Sequence, residues 1–138
     1  MESVDSGEQV RTVALPITIS ATTSAPILVF RAPYKCKITG LAIAGQTTIA
    51  GNDTNKWTIA FINRGPLGTD TTAVNATDIT DVATGGFTAY VARVTPIHAT
   101  AANSTLAAGD VVTLTLTKAA SGANIVMPLV EIKFKGTA

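Results

Sequence analysis

The chain has 138 residues, a length typical of one domain, and its Lys+Arg total of 10 and Asp+Glu total of 9 give a net charge of +1. This balance lacks the basic excess that nucleic-acid binders use, so we predict no nucleic-acid partner. Charged residues make up 14% of the chain and hydrophobic residues 46%, whereas about 25% charged is usual. We therefore expect an ordered and unusually neutral domain.

The first nine residues, MESVDSGEQ, are polar and show no strand periodicity. They predict a flexible N-terminal arm at 1–9 and a single domain at 10–138. The arm has neither the basic start nor the apolar centre of a signal peptide, so we expect synthesis in the cytoplasm. No apolar run approaches the roughly 18 residues of a membrane span, so we predict no membrane partner.

Strand patterns begin at Val10. Apolar residues alternate with polar or small ones from Val13 to Ile19, which predicts a half-buried strand. Pro16 removes a donor from the ladder, so this strand is expected at a sheet edge or with a bend. The next apolar run, PILVFRAP, is typical of a strand covered on both faces.

In YKCKITGLAIA the alternation places Cys36 and Ile38 inward and then changes phase at Gly40. A glycine at a phase change predicts a β-bulge. KWTIAFIN is the next strand, with Trp57 and Phe61 on one face. A Gly- and Pro-rich turn follows in NRGPLGTD.

The second half continues in the same way. Residues 71–86 fit either a strand or a short helical turn, and FTAYVARVTPI predicts a strand that stops at Pro96. Two more strands are predicted, at Val111 to Thr117 and in IVMPLVEIKFK. No segment has a helical apolar period over three turns, so seven to eight antiparallel strands predict an all-β fold: a β-sandwich of jelly-roll type.

The strand VVTLTLT has an unusual outer face. Every second residue is apolar from Val112 to Leu116, and the alternate positions from Thr113 to Thr117 are threonines. An uncharged threonine face costs less to desolvate than lysine or glutamate, which favours burial against a partner. Threonine is also a strong strand former, so the same row is explained equally by β-propensity alone.

No catalytic motif is present. Cys36, His98 and Ser104 are nucleophile or base candidates by residue type only, so we predict no enzymatic activity and no catalytic residue. One cysteine and one histidine cannot make a zinc site, and we predict no metal and no cofactor. The acidic stretches 51–55 and 77–81 lack an EF-hand pattern and are typical of Asx turns, although they leave calcium binding open.

Four segments together resemble small structural proteins of tailed bacteriophages, namely capsid decoration (cement) proteins and related head β-domains. These segments are FRAPYKCKITGLAIA, NKWTIAFINRGPLGTDTT, TLAAGDVVTLTLTKA and MPLVEIKFKG, and the resemblance covers residues 10–135. It implies a β-sandwich or jelly roll without a catalytic motif. It also implies a homo-oligomer, often a trimer, that binds the major capsid protein on the outer capsid surface.

Under this resemblance the protein is a virion component made in the host cytoplasm, and it stabilises the capsid lattice by bridging coat subunits. The polar arm is then the natural docking element. We assign this role to its charged residues and to the first charge of the following strand, namely Glu2, Asp5, Glu8 and Arg11.

A receptor- or carbohydrate-binding β-module of a phage fibre or tail is the alternative function. Such a module would use Trp57, Tyr90 or the loop at 63–70. An exposed aromatic cluster in a groove would favour it, since aromatic rings provide large contact surfaces for ligands.

Overall fold

A computed structural model describes residues 7–20, 25–121 and 123–137. In this part of the chain it contains strands and one single-turn 3₁₀ helix at Ala101–Ser104. The strands, in chain order, are β1 Glu8–Ala14, β2 Thr18–Ile19, β3 Ile27–Arg31, β4 Cys36–Ala44, β5 Trp57–Asn63, β6 Thr72–Ala73, β7 Asp78–Ile79, β8 Arg93–Thr95, β9 Thr105–Leu106, β10 Val111–Lys118, β11 Ile125–Val126 and β12 Leu129–Gly136.

These strands form two antiparallel sheets. The first sheet has the order β1-β12-β4-β8, with β9 also paired to β4. The second has the order β3-β10-β5-β6, with β7 also paired to β5. Strands β2 and β11 make a small separate ribbon. The predicted all-β sandwich is therefore confirmed.

The strand order is that of a jelly roll. Strands β6 and β7 both pair with β5, and strands β8 and β9 both pair with β4, so each of these two sets counts as one strand position. The two sheets therefore hold eight strand positions. The first position pairs with the last (β1 with β12), the second with the seventh (β3 with β10), the third with the sixth (β4 with β8 and β9), and the fourth with the fifth (β5 with β6 and β7). Such nested pairing describes a hairpin rolled up on itself, which is the arrangement of a jelly roll.

The two sheets are joined on one side and open on the other. On the joined side, backbone bonds connect the β6–β7 segment to the chain after β8: Ala76 N–H donates to Pro96 O at 2.9 Å and His98 N–H donates to Val74 O at 3.0 Å. On the opposite side, β1 and β3 are edge strands, each paired on one side only in the described sheets. The free edges of both sheets therefore lie on the same side of the molecule.

The core lies between the sheets and follows the predicted inward faces. Its largest side chains are almost fully buried: Trp57, Phe61, Phe87, Phe134, Ile38, Ile43, Ile59, Leu106, Leu114, Leu116, Ile125 and Ile132. Burial of these side chains is the main favourable term in folding, since each contributes on the order of 1.5–3 kcal/mol of transfer free energy.

The bulge predicted at Gly40 is confirmed. The pairing of β12 with β4 shifts register there, between Lys133 opposite Gly40 and Phe134 opposite Ile38. A Cβ on Gly40 would lie 3.1 Å from the Lys133 side chain, so glycine leaves room for that lysine stem. The bulge keeps the core-facing residues inward on both sides of the phase change.

The first strand pattern is interrupted by Pro16, as predicted. Strand β1 ends at Ala14, and the alternation resumes in β2. The inward expectation is wrong at Ile17, which is 49% exposed, because the chain bends between the two strands. In the ambiguous segment 71–86 the strand alternative holds, with β6 and β7 and no helix.

A buried asparagine side chain provides hydrogen bonds to β5 in the gap between β6 and β7. The Asn75 side chain accepts a hydrogen bond from Phe61 N–H at 2.7 Å and donates to Ile59 O at 3.0 Å. Both groups belong to β5, so the amide replaces the backbone of a missing strand residue. Asn75 is 6% exposed, and the two β5 groups would otherwise lack these partners.

Replacing Asn75 with Ala is expected to lower the free energy of unfolding by about 2–3 kcal/mol, because buried backbone groups of β5 lose their hydrogen bonds. Urea unfolding followed by circular dichroism measures this change. Asn52→Ala is the control, since Asn52 only closes an exposed turn through Thr54 N–H and Asn55 N–H. Equal losses in the two variants would contradict the role given to Asn75.

Candidate interaction surfaces

The residues that qualified as nucleophile or base by type have structural roles. Cys36 is fully buried in β4, and burial, reinforced by the Asp110 carboxylate, raises the pKa of its thiol to about 11. His98 Nδ1 accepts Thr100 N–H at 3.0 Å, and the buried Ser104 hydroxyl donates to Ala101 O at 3.2 Å. The Cys36 thiol is therefore protonated at neutral pH, which removes its nucleophilic form.

The acidic loops use their carboxylates to close turns and to connect loops. Asp53 accepts Val82 N–H at 3.0 Å, and Asp81 accepts Thr84 N–H at 2.8 Å. The bonds from Thr84 lower the pKa of Asp81. Within the described residues, no group of three or more His, Cys, Asp or Glu side chains is placed to hold a metal ion.

The outer side of the second sheet forms an uncharged surface, which we call the threonine face. The register places Thr113 beside Ile62, Thr115 beside Ala60 and Thr117 beside Thr58. Directly opposed residues of an antiparallel pair share a face, so these six residues form a continuous surface without a formal charge. At its edge, Arg64 Nε donates to Thr113 Oγ1 at 3.0 Å. The predicted row of threonines is thus part of a wider neutral face.

The outer side of the first sheet is divided into two halves. One half carries Lys37, Lys133 and Lys135, and Lys133 lies 4.0 Å from the Glu131 carboxylate. The other half, which we call the apolar band, consists of two rows: Ala14, Leu129 and Ala44 across β1, β12 and β4, and Ala42 and Val94 across β4 and β8. In the second row Glu131 of β12 lies beside Ala42, so the band borders on this carboxylate.

The apolar band is partly exposed and continues into the neighbouring loops. Val94 is 75% exposed and Leu129 42%. At one end Tyr90 N–H donates to Gly45 O at 2.8 Å, which places the exposed Tyr90 next to the end of β4. Exposed apolar patches of this kind mark interaction sites in soluble proteins.

A third surface lies at the open side of the sandwich, between the edge strands. This edge groove has a volume of about 330 Å³ and is lined by Arg11 and Val13 of β1 and by Leu28, Val29, Phe30 and Arg31 of β3. Arg11 stands opposite the core residue Ile132 in the β1–β12 register, so it is on the inner side of the first sheet. The groove combines an apolar lining with two arginine residues, and the Arg31 guanidinium extends toward the turn at Gly109, where an added Cβ would lie 3.6 Å from its Nη2.

The residues proposed for capsid docking fall in two regions. Glu2 and Asp5 lie outside the described residues. Glu8 and Arg11 lie in β1, which begins before the Val10 start that the pattern predicts. Glu8 is opposite Lys135 and accepts a hydrogen bond from the Thr39 hydroxyl. The structure therefore places Glu8 on the outer side of the sheet and Arg11 in the edge groove.

The aromatic residues of the alternative function are separated. Trp57 is fully buried, and its Nε1 donates to Ala123 O at 2.8 Å, so Trp57 is not available as a stacking surface. Tyr90 is 78% exposed, and Leu67 in the 63–70 loop is 85% exposed. Trp57 therefore cannot contribute to the kind of exposed aromatic cluster that would favour a carbohydrate site.

Sequence reasoning found the threonine face but missed the apolar band and the edge groove. The alternation in β4 and β12 contained a signal for the band, since Ala42, Ala44 and Leu129 occupy outward positions without charge. The groove had no such signal, because its two strands belong to different sheets.

The comparisons with known proteins include a structural likeness. Neither a protein-family model nor a curated protein matches the chain. A chain from the structure of infectious bursal disease virus Gx strain is similar over 95% of this chain, with a TM-score of 0.35 and 16% identity. The matched region is 37% of that longer chain. This score is too low to assign a fold, and the assignment of a jelly roll therefore depends on the strand order described above. Among the described residues, no helix is long and apolar enough to cross a membrane.

The buried thiol has a measurable consequence. The pKa of Cys36 rises from 9.0 to about 11 in the folded chain, so between these values the unfolded chain has lost a proton that the folded chain keeps. Stability from this group is complete below pH 9 and is lost as pH rises through 11, with a slope of at most about 1.4 kcal/mol per pH unit. Urea unfolding at several pH values measures it.

Cys36→Ala is the matched variant, because the other titrating groups are unchanged in it. Its stability is expected to fall less steeply than that of the wild type from pH 9 to 11. Parallel pH profiles for the two proteins would contradict the assignment.

Proposed function

We propose that this protein is a non-catalytic virion structural protein, specifically a capsid decoration protein that binds the outer capsid surface and bridges coat subunits. The observation that carries the proposal is the presence of two charge-poor surfaces on opposite sides of one sandwich, the threonine face and the apolar band. Jelly rolls occur in viral capsid domains, which agrees with this function by analogy of fold.

Bridging requires at least two binding surfaces on one molecule, and the presence of two charge-poor surfaces supports this part of the proposal. The threonine face belongs to the second sheet and the apolar band to the first, so they point away from each other. One surface binds a coat subunit while the other remains available for a neighbour. Many copies on a lattice then add modest individual affinities into a large total stabilisation.

The partners of this proposal are the major capsid protein and other copies of the same chain, with a trimer as the proposed oligomer. The threonine face is the proposed coat contact. Its side chains are uncharged, so its burial avoids the cost of desolvating charged groups. The proposed location is the capsid surface of the virion.

The threonine face is tested by Thr115→Lys. Thr115 is at the centre of this face, opposite Ala60, and a buried lysine without a partner is costly. We expect at least a tenfold loss of affinity for empty capsids, or about 1.4 kcal/mol, measured by co-sedimentation.

Thr137→Lys is the control, since Thr137 is an exposed threonine that follows Gly136 at the far end of β12 from the apolar band. It makes the same change in charge away from the threonine face. Capsid binding that is unchanged in Thr115→Lys, or reduced equally in both variants, would rule out this face as the coat contact.

The alternative recognition function retains one supporting observation, the exposed Tyr90 beside Gly45. A glycan or receptor module that used this ring would lose its ligand in Tyr90→Ala. A glycan array probed with both proteins decides this: a ligand that binds the wild type and not the variant supports the alternative. The absence of any glycan ligand, together with capsid binding by Tyr90→Ala, supports decoration.

A further inference from the structure

The edge groove contains two arginines that the described part of the chain leaves without a carboxylate. Both line the groove, and the ion pairs among described residues are Arg93 with Asp78 and Lys133 with Glu131. A groove that is lined by apolar side chains and by two arginines without a carboxylate partner among the described residues is suited to an extended segment that carries acidic side chains.

The charge distribution of the chain indicates the source of such a segment. Of its nine acidic residues, Glu2 and Asp5 lie in residues 1–6 and the other seven lie in the described part. Those of the described part lie at Glu8, Asp53, Asp70, Asp78, Asp81, Asp110 and Glu131. The segment MESVDS is thus a short acidic stretch without a basic side chain, and it is complementary in charge to the groove.

The open side of the sandwich adds a second form of complementarity. Strands β1 and β3 are edge strands, and each presents one row of backbone groups without a partner strand in the described sheets. Such edges accept an added strand, with backbone bonds giving affinity and side-chain contacts giving specificity. An acidic segment in the groove would meet both the free edges and the arginines.

We propose that the edge groove binds the N-terminal residues 1–6 of a second copy of this chain, with Glu2 and Asp5 paired to Arg11 and Arg31. The proposal concerns self-association and does not depend on the proposed capsid function. It also assigns the acidic residues of the predicted docking arm to a neighbouring copy instead of the coat.

The geometry of β1 favours a second copy over the same chain. Residue 6 joins the fold through Gly7 at the Glu8 end of β1, and Glu8 is opposite Lys135. Arg11 lies three residues further along, about 10 Å away in a strand. The chain's own segment would have to reverse at Gly7 to reach Arg11, whereas a segment from another molecule enters the groove without a reversal.

Two charge-reversed variants of the full chain test the proposal by sedimentation velocity. The first is Glu2→Lys/Asp5→Lys, which gives a basic segment and keeps a basic groove. The second is Arg11→Glu/Arg31→Glu, which gives an acidic groove and keeps an acidic segment. We expect the wild type to sediment as an oligomer, each variant alone to be a monomer, and an equimolar mixture to associate again, because each segment then meets a groove of opposite charge.

Salt and a control variant complete the experiment. The association constant of the wild type is expected to fall as salt screens the charge pairs. Lys35→Glu/Lys37→Glu makes the same change in net charge as Arg11→Glu/Arg31→Glu, at exposed positions away from the groove, and it should sediment like the wild type. Melting temperatures show whether each variant folds, and the first variant keeps the test valid if the groove variant does not fold.

Three results would overturn the proposal. They are a monomeric wild type at the highest soluble concentration, oligomers that persist in both variants, and variants that stay monomeric when mixed. The last result would assign the groove to the same chain or to a different partner. Wild-type oligomers that form as expected but do not bind empty capsids would count against the proposed function alone.

Discussion

The ladder that β12 forms with β1 on one side and β4 on the other is the constraint on which the rest of the structure depends. It pairs the whole length of β12, from Leu129 opposite Ala44 to Gly136 opposite Cys36. Because side chains alternate strictly along a strand, this register turns Phe134 into the core and Leu129 out into the apolar band. A slip of one residue would exchange the two sides and bury the lysines. The bulge at Gly40 keeps this register intact.

Where the ladders are irregular, buried polar side chains take over the backbone's role. Arg93 donates to the carbonyl oxygens of Gly85, Gly86 and Ile79 and forms a 2.7 Å ion pair with Asp78. These bonds hold the loop that precedes β8 against β7. Asn75 does the same between β6 and β5, as its bonds to that strand show.

A comparable role explains the LAAGD turn that begins β10. The Asp110 carboxylate accepts Ala107 N–H at 2.9 Å and Asn63 Nδ2–H at 3.1 Å, while Gly109 adopts a φ of 88° that favours glycine. The turn is thereby tied to β5. Buried groups of this kind are costly unless they are paired, so these side chains confine the irregular segments to one arrangement.

The three surfaces differ in what they offer a partner. The threonine face and the apolar band are broad, poor in charge and on opposite sides, which suits contacts between large flat surfaces. The edge groove is narrow and basic, with free strand edges beside it, which suits a single extended segment. In the proposed assembly the broad faces would give affinity, whereas the charged groove would determine which segment binds and in which position.

The sequence by itself determined the all-β class, the inward and outward faces of the main strands, the bulge at Gly40 and the break at Pro16. These features depend on local alternation and on the backbone limits of glycine and proline, so neighbouring residues suffice to predict them. Of the interaction surfaces, it indicated the threonine row only. The tertiary structure decided the strand order, the burial of Trp57, the exposure of Ile17 and the meeting of β1 with β3 at the edge groove. These features depend on which distant strands become neighbours, and alternation with a period of two is the same for every possible partner.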